Sequence, residues 1–195
     1  NYALTYALGL AIAPYFHRQQ VPAYAEELAP LNERGIYVTP GRGIRVRYDL
    51  VTFKYADNAY RVKMAPGRRN TPSFGRAKEI AVGSRFDFAV LSQEAIRLPR
   101  WVRMGLWCSK AQVACLGEAT LEPTGRTEAV ASLPLNPLDV PGRLMVYDLI
   151  SMPPSSLVDN ASLAGEWLQA RVNEQTVRLP ARMAYTFNNR HRDPS

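Results

Sequence analysis

Histidine and cysteine are scarce: the 195-residue chain holds two of each, His17 and His191, Cys108 and Cys115. Two histidines far apart in the chain offer no ligand set and no ready general base. The cysteine spacing fits no zinc pattern. Both cysteines stand in apolar, strand-like context, which predicts buried reduced thiols and a cytoplasmic protein. Also absent are a glycine-rich phosphate loop ahead of a helix, an H-E-x-x-H pair, and carboxylates clustered at metal-binding spacing. The expectation is therefore a protein that is not an enzyme and carries no cofactor or metal. A metal-free RNA-cutting site would need His17 or His191 brought to a basic groove. No run approaches the roughly 18 apolar residues of a membrane span. The short apolar stretch Leu8 to Phe16 lacks the basic run that precedes a signal-peptide core. There is no internal repeat and no heptad pattern. Asn1 already reads as mid-structure, so a preceding segment is expected.

What the chain does have is core material and a concentrated charge. Hydrophobic residues make up 47%, enough for one globular domain over 1–195, and Pro 15 with Gly 12 predict many turns. The net charge is +7, yet Gly41–Lys78 alone carries ten Lys/Arg against two Asp, and the remainder is close to balanced. Positive charge gathered in this way marks a polyanion partner. Within the block, Ile44, Val46, Tyr48 and Leu50 alternate with Arg45, Arg47 and Asp49. Tyr60, Val62 and Met64 alternate with Arg61 and Lys63 beyond a turn at Ala56–Ala59. This predicts a hairpin with one apolar and one basic face. Pro66 to Lys78 reads as a basic, Gly/Pro-broken loop. Arg68, Arg69, Arg76 and Lys78 could track a phosphate backbone there, with Phe74 stacking on a base, and Arg42 and Lys54 are further RNA-binding candidates of the basic block. A mobile loop with incidental charge is the alternative.

The stretch Pro99–Lys110 has period two. Val102, Met104, Leu106 and Cys108 share one apolar face. Trp101, Arg103, Gly105, Trp107 and Ser109 share the other, with Lys110 at the end. Tryptophan beside arginine suits a base-stacking and phosphate-binding platform, a subunit contact, or packing under a second layer of the same domain.

Elsewhere, Tyr2, Tyr6 and Leu10 at helical spacing predict a core helix ending near Pro14. Pro22 to Arg34 reads as a polar connector with a short helix around Glu26 and Glu27. Gly35–Pro40 reads as an edge strand and Arg85–Leu91 as one alternating strand. Ala111 to Leu121 reads as a strand or strand pair. Leu133 to Pro141 is a proline-fixed excursion outside any sheet interior. Leu144–Ile150 reads as a buried strand and Leu157–Gly165 as one or two helical turns. Trp167–Val172 and Thr176–Leu179 read as a hairpin across Asn173-Glu174-Gln175, and the tail from Asn188 as frayed.

Five stretches in order then carry a resemblance: Asn1-Tyr2-Ala3-Leu4-Thr5-Tyr6-Ala7-Leu8-Gly9; Gly35-Ile36-Tyr37-Val38-Thr39-Pro40; Trp101 to Lys110; Pro134-Leu135-Asn136-Pro137-Leu138-Asp139; and Tyr147-Asp148-Leu149-Ile150-Ser151-Met152-Pro153-Pro154. Together they resemble the Csc-one form of the Cas-five family, a subunit of the type I-D CRISPR Cascade complex. The resemblance implies an α+β fold on a ferredoxin-like (RRM-type) antiparallel sheet. A basic hairpin or thumb is inserted at about 41–78, and the family's first strand is missing from this chain. It implies a non-catalytic subunit that caps the 5′ handle of crRNA in antiviral defence. The implied neighbours are a Cas-seven type backbone subunit and the large subunit, with target DNA near the PAM as a further contact and no membrane. A relative in another subtype cuts RNA, so an endoribonuclease stays an alternative, as does a purely protein-interaction subunit.

Overall fold

The computed structural model describes residues 1–14, 23–54, 74–104, 109–152 and 155–187. The chain divides into two compact units, Asn1–Arg42 with Phe88–Ser195, and Gly43–Asp87. The secondary structure is mostly antiparallel sheet with few helices. Among the described residues no helix is long and apolar enough to cross a membrane.

The larger unit opens with helix α1 (Tyr2–Ala7). It stops well short of Pro14. Gly9 takes φ +71°, which favours glycine, and the amides of Gly9 and Leu10 reach back to the carbonyls of Tyr6 and Thr5. Helix α2 (Tyr24–Glu33) is longer than the polar connector suggested, and Glu26 and Glu27 favour its first turn. Leu28 and Leu31, both fully buried, tie it to the core. Strand β1 (Tyr37–Val38) pairs with β6 (Val90–Leu91). It is no exposed edge, because Ile36 to Pro40 are all buried.

Strand β12 (Leu157–Ala164) is the middle of a three-stranded sheet, between β10 (Glu128–Val130) and β11 (Arg143–Ile150). The helical reading of this segment is therefore wrong, and the reason is local. Asn160 sits at φ +48°, so the inward residues are Val158, Ala161 and Leu163, a spacing of three then two that mimics a helix face. Leu135 bridges to Val158, so the proline-fixed excursion does touch the sheet. A second sheet runs β14 (Gln175–Pro180), β13 (Trp167–Val172), β9 (Glu122–Pro123). The β13–β14 hairpin turns on Asn173 and Glu174, both at positive φ, as a tight hairpin turn requires. Ala131 bonds to Ala161 while Ser132 bonds to Arg178, which joins the two sheets. Trp167 is buried and donates its indole N–H to the Leu163 carbonyl at 3.3 Å.

Strand β11 forms where expected, but it is exposed along most of its length rather than buried. Of the segment 111–121, only its start belongs to a strand, β8 (Lys110–Gln112). Cys115 is exposed, against the expectation of a buried thiol, because it follows the end of that strand; Cys108 lies outside the described residues.

The smaller unit is an antiparallel arm. Strand β2 (Arg42–Arg45) pairs with β5 (Arg85–Asp87), and β3 (Tyr48–Lys54) pairs with β4 (Phe74–Ile80). Arg85–Leu91 is thus two strands, one in each unit. The partner of Tyr48–Lys54 among the described residues is Phe74–Ile80, and Phe74–Lys78 is strand rather than loop. The expected turn at 56–59, the strand 60–64 and the loop before 74 lie outside the described residues, as does the tail from Asn188.

Candidate nucleic-acid interface

Three of the five stretches behind the resemblance meet at one buried carboxylate. Asp139 Oδ2 accepts from Asn1 Nδ2 at 2.8 Å, the Tyr37 hydroxyl at 3.0 Å and Asn136 Nδ2 at 3.1 Å. Its Oδ1 accepts from the Tyr2 hydroxyl at 2.8 Å and the Thr186 amide at 3.0 Å. Five donors on a residue 2% exposed leave its oxygens no room for a substrate, so the cluster is a structural clamp. Burial, then the Asp139 charge, pushes the Tyr2 and Tyr37 hydroxyls well above the ordinary tyrosine range. Burial pushes Tyr185 up to about 12, opposed by its bonds with Thr5 and the Val38 amide. The clamp holds α1 in place.

The end of α1 in turn supports the platform. Strand β7 (Trp101–Arg103) pairs with β8 in the register Trp101↔Gln112, Val102↔Ala111, Arg103↔Lys110. Val102, 5% exposed, packs with Leu8 and Val38. That contact turns Trp101, Arg103, Lys110 and Gln112 outward together, since directly paired residues share a face. Trp101 is 60% exposed. It walls a shallow, open depression of about 430 Å³ with Ala7–Gly9 and Arg97–Pro99. Arg103 and Lys110 are like charges directly opposite each other, a pairing that costs stability unless an anion lies between them. The ion pairs among the described residues are Arg34–Glu94, Arg42–Asp159 and Arg182–Glu166, so neither Arg103 nor Lys110 has one.

Of the expected apolar face, Val102 is buried, whereas Met104 is not. Strands β7 and β8 run antiparallel to each other and are not one strand. Leu106 and Trp107 lie outside the described residues. Ser109 donates its hydroxyl to the Met104 carbonyl. Arg97 and Arg100 escaped the sequence reading. Arg97 lines the depression and Arg100 is exposed, and their position beside Leu98-Pro99-Trp101 is the signal that marks them.

On the arm, register decides which charges share a face. Tyr48 opposes Ile80, Leu50 opposes Lys78 and Thr52 opposes Arg76; on the other face Asp49 opposes Glu79 and Val51 opposes Ala77. The basic residues of β4 therefore stand beside Tyr48 and Leu50, and the reverse face is acidic. This corrects the expected split into an apolar and a basic face. Lys78 Nζ lies 4.2 Å above the Tyr48 ring, an attractive cation–π geometry. Arg45 and Arg47 are exposed, as is Arg85, which the sequence reading also passed over. Arg42 is held by Asp159 at 2.7 Å, so its charge is compensated. Lys54 and Phe74 pair at the end of the β3–β4 ladder opposite the Tyr48–Ile80 pair, while Arg61, Lys63, Arg68 and Arg69 lie outside the described residues.

Among the described residues no group of three or more His, Cys, Asp or Glu could hold a metal. No curated protein matches the chain. The family model of the type I-D CRISPR-associated protein Cas5/Csc1 matches residues 1–188, and the chain belongs to that family, which sets it in the context of a type I-D CRISPR effector complex.

Proposed function

We propose that this chain is a non-catalytic subunit that caps the 5′ handle of crRNA in the cytoplasmic type I-D Cascade complex. One observation carries the reading: exposed Trp101 shares a face with the unpaired cations Arg103 and Lys110. A single-stranded RNA end needs both elements, a ring on which an unpaired base can stack and cations for the adjacent phosphate. Arg97 in the depression adds a further cation. The Arg76–Lys78 face of the arm offers a second backbone-tracking surface. The family's ferredoxin-like sheet is the frame this reading assumes, with a Cas-seven type backbone subunit and the large subunit as neighbours. Base pairing by the guide then reads the target, and this subunit holds backbone and shape. The case against catalysis rests on the two isolated histidines, His17 and His191.

The test is titration of the chain with a labelled handle RNA. Trp101→Ala should weaken binding by ~1–3 kcal/mol, the worth of one base–aromatic stack. Arg103→Ser with Lys110→Ser should flatten the log–log salt dependence by about 1.4, at roughly 0.7 per phosphate contact. None of these variants should melt earlier, because all three side chains are exposed and the two serines remove a like-charge pair, and the RNA should stay whole. Unchanged affinity and slope in the triple variant would refute the cap and favour a protein-interaction subunit. Cutting that disappears with His17→Ala or His191→Ala would favour the endoribonuclease.

A further inference from the structure

We propose that strand β11 receives an extended segment from another protein subunit of the effector complex. The segment is apolar on both faces, adds to the sheet as a fourth strand, and carries a carboxylate to meet Arg143. The proposal rests on family membership and on the sheet, and is independent of the RNA reading.

Strand β11 is eight residues long and pairs on one side only, with β12, in the order β10-β12-β11. Its other edge presents backbone N–H and C=O groups with no strand partner among the described residues. Long apolar edges of this kind pair with other chains unless they are covered. Here the edge is apolar on both faces, since Met145, Val146, Tyr147 and Leu149 are all exposed. The step across one rung is sharp. Val158 and Leu149 are direct partners on the same face, yet Val158 is 2% exposed and Leu149 is 64% exposed. Among the described residues the layer that covers the sheet therefore ends at β12, and β11 continues the same apolar face without cover from them.

Charge and register select the occupant. The strand holds one cation, Arg143, and one anion, Asp148, so a polyanion would find no net charge to neutralise. Asp148 already accepts from Asn160 Nδ2 at 2.7 Å, whereas Arg143 has no ion pair among the described residues. An antiparallel pair of two copies would match charges only by setting Arg143 against Asp148, one oxygen of which already accepts from Asn160. The register of β11 also shifts between Leu144 and Val146 and between Val146 and Asp148. Such irregularities bend and twist a strand, and two-fold pairing would set one irregular stretch against another. A strand from a different subunit has to match only one. Addition of an extended segment to an exposed edge is a common mode of recognition, in which the backbone supplies affinity and alternate side chains supply specificity.

The experiment places a photo-crosslinking side chain at Val146 and irradiates the purified type I-D effector complex assembled from all its subunits. A crosslink to a different protein subunit is expected, together with slowed amide exchange over 143–150 relative to the isolated chain. Val146→Lys with Leu149→Lys should reduce incorporation into the complex at least about tenfold, while melting and handle-RNA binding of the isolated chain stay unchanged. Val146→Thr keeps strand propensity and should reduce incorporation less, which separates loss of docking from loss of fold. A crosslink to RNA or to a second copy, or no crosslink with exchange unchanged, would overturn the proposal. So would normal incorporation of the double lysine variant. Loss of handle binding by Trp101→Ala has no bearing on any of these outcomes.

Discussion

Asp139→Asn changes one atom of a buried carboxylate and should cost more than most core truncations of similar size. In either orientation the new amide nitrogen meets donors. At the Oδ1 position it faces the Thr186 amide, which cannot rotate away; at the Oδ2 position it faces the side-chain amides of Asn1 and Asn136. One orientation is less costly, because the Tyr2 hydroxyl has a second acceptor in the Thr186 carbonyl at 2.9 Å. Placing nitrogen at Oδ1 therefore strands a single donor, the Thr186 amide. One stranded buried donor costs ~1–3 kcal/mol, and the hydrogen bonds kept at the other oxygen lose their charge assistance, so the total is about 2–4 kcal/mol. For a chain of this size that lowers Tm by about 10 °C. Tyr37→Phe removes one donor and leaves the carboxylate four others, so a fall of only about 3 °C is expected. Differential scanning fluorimetry of the two variants checks the order. RNA binding should fall only in proportion to unfolding, since the clamp acts through the position of α1. An Asp139→Asn protein melting within about 2 °C of wild type would refute the reasoning, because an unsatisfied buried donor cannot be that inexpensive.

The same cluster predicts alkaline lability. The hydroxyls of Tyr2, Tyr37 and Tyr185 are held protonated by burial, so their stabilisation is complete below the unfolded tyrosine pKa near 10. It should be lost as pH rises from there through about 12 for Tyr185, at up to about 1.4 kcal/mol per pH unit for each tyrosine. Melting curves between pH about 9 and 11 should show a shallower decline in Tyr185→Phe, and an equally steep one would count against the assignment. On the arm, Arg76→Ser with Lys78→Ser should flatten the salt dependence of RNA binding by about 1.4, at roughly 0.7 per phosphate. Asp49→Ser, on the reverse face, should leave the slope unchanged, and equal effects from both faces would remove the arm's polarity from the argument.

Some elements were legible because one local signal determines them. The β13–β14 hairpin needs a two-residue turn of positive φ between apolar runs, and Asn173-Glu174 fills it. Helix α2 was hard to see, since only Leu28 and Leu31 of its ten residues are fully buried and Pro30 lies inside it. The middle strand β12 was misread because one left-handed residue, Asn160, breaks the period of two on which strand recognition depends. The run Leu144–Ile150 signals a strand that requires cover. Apolar composition cannot say whether the cover comes from the same chain.

The two halves of the candidate site differ in the same way. At Trp101-Val102-Arg103 a single buried residue, Val102, orients its neighbours, so alternation within one strand was enough to read the face. On the arm neither face of β3 is deeply buried, and the charge of each face comes from the opposing strand. The nearest alternating segment, Tyr60–Met64, looked like that partner, but the chain pairs β3 with Phe74–Ile80. A slip of one residue would put Arg76 and Lys78 on the face of Asp49, and Glu79 beside Tyr48, and so reduce the charge difference between the two faces. Where a segment is buried on neither side, hydrophobic pattern does not fix register, and the polarity of the arm became readable only once the pairing was known. That pairing puts Lys78 over the Tyr48 ring and leaves Asp49 against Glu79, so a polyanion approaching the arm meets attraction on one face and repulsion on the other.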